Sequence, residues 1–247
     1  MSKSMWREIR WVKETGSTNS DVAGEARAGA SEGLVIATMN QMAGRGRMDR
    51  AWVAPRNSSL AFSLLLQPRP VFSLWGWLSL LAGLAVHSTL AALADDPDRV
   101  SLKWPNDVLI DGRKVCGILS ERIELPDGPR AIVGIGVNIS IPEPHLPVPT
   151  ATSLRIAGLS EDPEAVLAGI LENFQPLYES WQAAGQVRQA YEGRCASIGT
   201  ELRIVVDAET EVSGIGQGVD ELGRLQVATA AGVQVFAVGD VIHARMP

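Results

Sequence analysis

The sequence predicts an α+β protein, a large domain of strands and helices followed by a small all-β unit. Three observations carry this. Apolar, β-prone runs at 9–12, 34–39, 58–66, 100–104, 108–110, 114–121 and 131–139 are set off by glycine, proline and asparagine turns. Two long stretches, 74–94 and 163–184, have the length and pattern of helices. From Ile198 about 50 residues hold only short strands with glycine turns, at 201–206, 211–215, 224–229 and 233–238. That is the pattern of a small β-barrel.

Composition narrows the functional classes. The 247 residues leave room for one large domain and a small one. With 46% hydrophobic and 20% charged residues and a net charge of −6, the chain is an ordinary globular protein and a poor general binder of nucleic acid. Cys116 and Cys195 lie far apart and form no C-x-x-C, which points to a reduced cytosol. His87, His145 and His243 are scattered, so no metal site is expected. Residues 70–94 carry no Asp, Glu, Lys or Arg, long enough to cross a bilayer. Ser73, Gly76, Ser79, Gly83, His87, Ser88 and Thr89 interrupt the run, so it reads as a helix buried on a sheet rather than a membrane span.

Taken in order, strand 9–12 leads into Ser17 or Thr18, either of which can cap a helix running to about Ala30. Such a strand-to-helix junction also aims backbone N–H groups at a polar ligand. The next junction is the most distinctive: Asn40, Gln41, Met42, Ala43, Gly44, Arg45, Gly46, Arg47, Met48, Asp49, Arg50, Ala51 and Trp52 form a loop between two strands. Gly44 and Gly46 allow close approach of a ligand. Arg45, Arg47 and Arg50, with Arg56 beyond, supply guanidinium forks that match phosphate and carboxylate. Trp52 offers a flat face for a base.

After strand 58–66 and the buried helix, strand 100–104 ends at Trp104-Pro105-Asn106-Asp107, a kink before 108–110. Asp111-Gly112 is a two-residue hairpin turn. It returns the chain through 114–121, and a turn at 126–128 leads to strand 131–139. Gly134 and Gly136 alternate, so both bare positions share one sheet face and leave room for something flat or bulky. Pro142, Pro144, Pro147 and Pro149 make an irregular loop, and Pro163 opens the last long helix.

Of 22 basic residues only Lys3, Lys13, Lys103 and Lys114 are lysines. A lysine in an arginine-rich chain supplies a compact point charge where a fork does not fit. No phosphate loop of the G-x-x-x-x-G-K type, no G-x-S-x-G elbow and no H-E-x-x-H occurs. The remaining set suits an apolar carboxylic acid held beside a nucleotide. The chemistry of such a site is acyl-adenylate formation, in which fixed positive charge and positioning bring two anions together.

These residues resemble a known family. Ser17-Thr18-Asn19, the Gln41-to-Trp52 loop, Lys103-Trp104-Pro105-Asn106-Asp107, the run from Lys114 to Glu121, and Gly134-Ile135-Gly136-Val137-Asn138 are similar, in order and spacing, to the motifs of biotin protein ligases. Met42 and the Met48-Asp49 pair depart from the usual pattern, outside the Gly44-to-Arg47 centre. The resemblance implies a central mixed sheet packed with helices, of the kind seen in class II aminoacyl-tRNA synthetases, spanning 1–195, and an SH3-like β domain over 196–247. It implies activation of biotin by ATP with Mg²⁺ and transfer to a lysine of a biotin carboxyl carrier domain. Ser17, Thr18, Asn19, Gln41, Gly44, Arg45, Lys114, Gly117, Gly134 and Gly136 would hold biotin. Arg45, Arg47, Arg50, Trp52, Asn106, Lys114 and Asn138 would hold ATP, and Lys114, Arg45, Arg47 and Asp107 would carry the chemistry. Only 16 residues precede Ser17, too few for the DNA-reading head of some members, so no DNA binding is expected. A lipoate or octanoate attachment enzyme of the same architecture and a non-catalytic biotin or nucleotide sensor are the competing readings.

Overall fold

The computed structural model describes residues 4–48, 50–184, 187–206, 210–237 and 239–243. Asp49 of the glycine–arginine loop and Val238, the expected end of a strand, lie outside the described residues. Seven strands form one sheet in the order β1-β2-β5-β9-β8-β7-β6. They are β1 (Glu8–Trp11), β2 (Leu34–Thr38), β5 (Ser59–Leu66), β6 (Val100–Lys103), β7 (Asp107–Ile110), β8 (Arg113–Ile123) and β9 (Arg130–Asn138). Strands β1 and β2 run parallel and the other neighbours antiparallel, so the sheet is mixed, as expected.

Period-two alternation splits the core between the two faces. Leu34, Ile36, Leu65 and Ile132 pack with Val22, Ala23 and Ala26 of α1 (Thr18–Arg27). Val35, Ala37, Phe62 and Leu64 join the larger cluster, which contains α2 (Trp77–Leu93) and α4 (Pro163–Ala184). The segment Phe72–Leu93 is long and apolar enough to cross a membrane, and 72% of its most apolar window is buried inside the protein. Asp111 and Gly112 both take positive φ, +50° and +74°, the geometry of a type I′ hairpin.

Several expectations need correction. The loop 40–52 contains a hairpin of its own, pairing β3 (Gly44–Arg45) with β4 (Ala51–Trp52). The helix expected from residue 74 opens with a 3₁₀ turn at Phe72–Leu74, and α2 starts at Trp77. Helix α1 stops at Arg27, short of Ala30. Two short helices were not foreseen, α3 (Leu154–Ala157) and α5 (Arg188–Glu192). The terminal unit is a five-stranded antiparallel sheet, β13-β12-β11-β10-β14. Its members are β10 (Glu201–Val205), β11 (Glu211–Val219), β12 (Leu225–Thr229), β13 (Gly232–Phe236) and an unforeseen β14 (Asp240–His243).

The terminal sheet packs directly on the larger body. Trp77 Nε1 donates to Glu221 O at 2.8 Å and Trp104 Nε1 to Gly223 O at 3.0 Å. Leu202, Ile204, Val219, Leu225 and Val227 belong to the same hydrophobic cluster as α2. This docking brings β14 to the rim of the cavity described next.

Candidate active site

A cavity of about 520 Å³ opens on the sheet face between α1, the glycine–arginine hairpin and β14. Its floor comes from β5, β8 and β9. Strand pairing sets Gly117 opposite Gly136, while Gly134 opposes Ser63. A Cβ on Gly136 would lie 2.6 Å from the Trp52 ring, and one on Gly117 would lie 2.9 Å from it. The bare strip therefore seats the Trp52 indole. At Gly134 a Cβ would meet Asn19 Oδ1 at 2.2 Å, so this glycine makes room for the Asn19 amide. The flat group anticipated on this face is supplied by the protein itself.

One end of the cavity is polar and uncharged. Ser17 precedes α1, and its side chain makes no capping bond, which leaves its hydroxyl to the cavity it lines. The role of cap passes to Gln41, whose Oε1 accepts from Thr18 N at 2.9 Å and lies 3.2 Å from Thr18 Oγ1. Gly44 alone of the expected site residues does not line the cavity; a Cβ there would sit 2.6 Å from Gln41 Nε2 and from Trp52 O. Its bareness closes the hairpin against Gln41.

The other end is cationic. Arg45, Arg47, Arg50, Lys103 and Lys114 line the cavity against the carboxylates of Asp107 and Asp240. Lys114 Nζ sits 2.6 Å from Asp107 Oδ1 and 5.8 Å from the centroid of the Trp52 ring. The bulge between Val108 and Leu109 pairs Lys114 with Leu109, and Lys114 N–H donates to Thr150 O at 2.7 Å. Arg47 Nη1 donates to Asn106 Oδ1 at 3.3 Å, and Asn106 Nδ2 to Ile118 O at 2.8 Å. Burial pushes the Arg47 guanidinium below its ordinary pKa, against the pull of Asp240 and Asp107. Asn138 is buried and donates to Thr152 O at 2.9 Å. Trp52 Nε1 is buried with no acceptor among the described residues. Arg50, expected to hold ATP, pairs at 2.5 Å with Asp240 of the terminal sheet.

Four residues of the site carried no assigned role in the sequence. Lys103 lines the cationic end, and burial pushes its pKa down, ahead of the opposing pull of Asp107. Its signal was the scarcity of lysine. Ser63 and Glu121 knit the polar end to Arg45, through contacts that only the sheet order creates. Asp240 reaches the site from a strand that was not foreseen. Burial holds the Cys116 thiol far above its ordinary range, so no cysteine nucleophile stands at the site.

The geometry is that of a cavity with a neutral polar end and a cationic end whose charges suit anions. The profile of the biotin/lipoate A/B protein ligase family matches residues 13–138. A biotin–[acetyl-CoA-carboxylase] ligase of Mycobacterium tuberculosis is 36% identical, with 98% of this chain and 91% of that one covered. One from Paracoccus denitrificans is 34% identical, covering 93% and 98%. The solved biotin protein ligase of Aquifex aeolicus in complex with biotin and ATP superposes with a TM-score of 0.78 at 28% identity, over 97% of this chain and all of that one. The chain belongs to the biotin/lipoate A/B protein ligase family, on its biotin–[acetyl-CoA-carboxylase] ligase branch, and is an enzyme of the ligase class.

Proposed function

We propose that the enzyme condenses biotin with ATP to biotinyl-5′-AMP and pyrophosphate, then transfers the biotinyl group to a lysine of a biotin carboxyl carrier domain, releasing AMP. The observation that carries this is Lys114. It sits between the glycine-floored neutral end and the arginine cluster, where a carboxylate oxygen attacking an α-phosphate needs a shared cation. The solved Aquifex aeolicus relative in complex with biotin and ATP supports the substrates.

In this reading Ser17, Thr18 and Gln41 face the polar ring of biotin. Asn19, for which Gly134 makes room, borders that ring, Gly117 and Gly136 seat the Trp52 indole beside it, and Gly44 closes the hairpin. Arg45 and Lys114 meet its carboxylate and the α-phosphate. Arg47 and Lys103 take the departing phosphates, which arrive as the Mg²⁺ complex with the ion carried on the nucleotide. Trp52, Asn106, Arg50 and Asn138 border the nucleotide. Asp107 orients Lys114. We divide the work between a biotin- and ATP-binding part, 1–195, and a supporting part, 196–247. Incubation with biotin, MgATP and a carrier domain tests the reading: one carrier lysine should gain the mass of a biotinyl group. Lipoyl or octanoyl transfer in its place would move the enzyme to the other branch of its family.

A further inference from the structure

An acidic side chain stands where the proposed reaction has least use for one. Glu121 Oε2 accepts from Arg45 Nη2 at 2.9 Å and from Asn19 Nδ2 at 2.6 Å. A carboxylate at this place repels both substrates of the proposed function, which are anions. Its neighbours explain its presence. Asn19 is buried, and its amide nitrogen is fully committed, donating also to Leu119 O at 3.3 Å. Asn19 Oδ1 lies 2.6 Å from Ser63 Oγ, and Ser63 Oγ lies 2.7 Å from Thr18 Oγ1. Ser63 has no exposed surface, and its single proton goes to the Asn19 carbonyl, which no other donor among the described residues serves. Thr18 Oγ1 then donates its proton to Ser63 Oγ, and Thr18 N–H donates to Gln41 Oε1 at 2.9 Å.

A continuous hydrogen-bonded chain thus runs Gln41–Thr18–Ser63–Asn19–Glu121–Arg45. It joins the neutral end of the cavity to the cationic end beneath the floor. Gly134 belongs to this device, because a side chain there would strike the Asn19 carbonyl.

We propose that Glu121 is the positioning residue of this site, held by Asn19 so that it fixes Arg45 over the cavity and ties it to the pocket end at Gln41. The Arg45 side chain is half exposed, and the backbone around it is a two-residue strand. Left alone, such a side chain samples many rotamers. Glu121 takes one terminal nitrogen of the guanidinium and leaves the rest of the fork for a ligand anion. The cost of a nearby negative charge is offset by an arginine already in place when the anions meet.

The inference rests on the proposed function for what Arg45 meets, and not for what Glu121 does to Arg45. Glu121→Gln keeps an acceptor for Asn19 and removes the charge that holds Arg45. Biotin affinity by calorimetry should stay within about threefold, while the rate of biotin-dependent pyrophosphate exchange at saturation falls between about tenfold and a hundredfold. Glu121→Asp, which keeps the charge on a shorter arm, should recover part of that rate. In the ligand-free protein, trypsin should cut after Arg45 several-fold faster in Glu121→Gln than in the parent. Unchanged exchange together with unchanged cleavage would overturn the proposal. A parallel loss of biotin affinity, exchange rate and melting temperature would also overturn it, because Glu121 would then only support the fold. A parent enzyme without biotin-dependent exchange would remove the functional reading instead, and the cleavage rates would still decide whether Glu121 holds Arg45.

Discussion

The ammonium of Lys114 lies 2.6 Å from the carboxylate of Asp107, across the hairpin that Asp111 and Gly112 close. The pair is partly buried, and Trp52 covers it from the side. Lys114 is thereby a fixed cation aimed into the cavity. Lys114→Ala should leave the fold intact and lower adenylate formation by a hundredfold or more, roughly the 3 kcal/mol that one preorganised charge contributes. Pyrophosphate exchange, read beside the melting temperature, checks this. Near-normal exchange would take Lys114 out of the chemistry.

Gly136 gives a steric test of the floor. An added Cβ would lie 2.6 Å from the Trp52 indole, too close for the ring to stay. Gly136→Ala should show the overpacking cost of about 1–3 kcal/mol in thermal denaturation, and exchange should slow by about tenfold as the ring leaves its seat. Full exchange in a stable Gly136→Ala variant would separate the Trp52 seat from catalysis.

The terminal sheet should prove structural as well as functional. Trp77 and Trp104 lie fully buried with their indole N–H groups bonded to backbone oxygens of the turn between β11 and β12. Removal of residues 196–247 should therefore abolish cooperative unfolding of the remainder, because it strips apolar cover from the shared cluster. Asp240→Asn is the finer probe. Its ion pair with Arg50 is exposed and worth about 0–1 kcal/mol, so stability should hold while the KM for ATP rises. A change in biotin affinity instead would assign the pair to the wrong end of the cavity.

His243 sets a pH dependence. Burial, with Lys103 nearby, lowers its pKa from the ordinary 6.5 to about 4, and its Nε2 lies 3.0 Å from Ser197 Oγ. The folded protein keeps the ring neutral, while the unfolded chain takes a proton below 6.5. Stability is therefore fully present above pH 6.5 and declines as the pH falls toward 4, by about 3 kcal/mol at most. His87, lowered first by its own burial, acts in the same sense. Urea denaturation between pH 4 and 7 should show the decline, and His243→Gln should flatten part of it. An identical slope in the variant would place the titration elsewhere.

What the sequence made legible was local. Pro163 marked the start of α4, and Asp111-Gly112 marked its turn, because each signal lies within the element it shapes. Gly134 and Gly136 were readable as a bare face, since alternation alone puts them together. What fills that face was not readable, because Asn19 and Trp52 arrive from distant parts of the chain. Ser63 and Glu121 look like ordinary strand residues until β5, β9 and β8 become neighbours. Asp240 escaped notice because its strand is four residues long and pairs at the edge of the sheet.

In the proposed function this cavity activates biotin with ATP. The most direct measurement is exchange of labelled pyrophosphate into ATP, run with biotin, with lipoate, with octanoate and with no acid. Exchange that depends on biotin, and is absent or far slower with the other acids, is the predicted result. Exchange with lipoate or octanoate but not biotin, or no exchange with any acid at saturating MgATP, would contradict it.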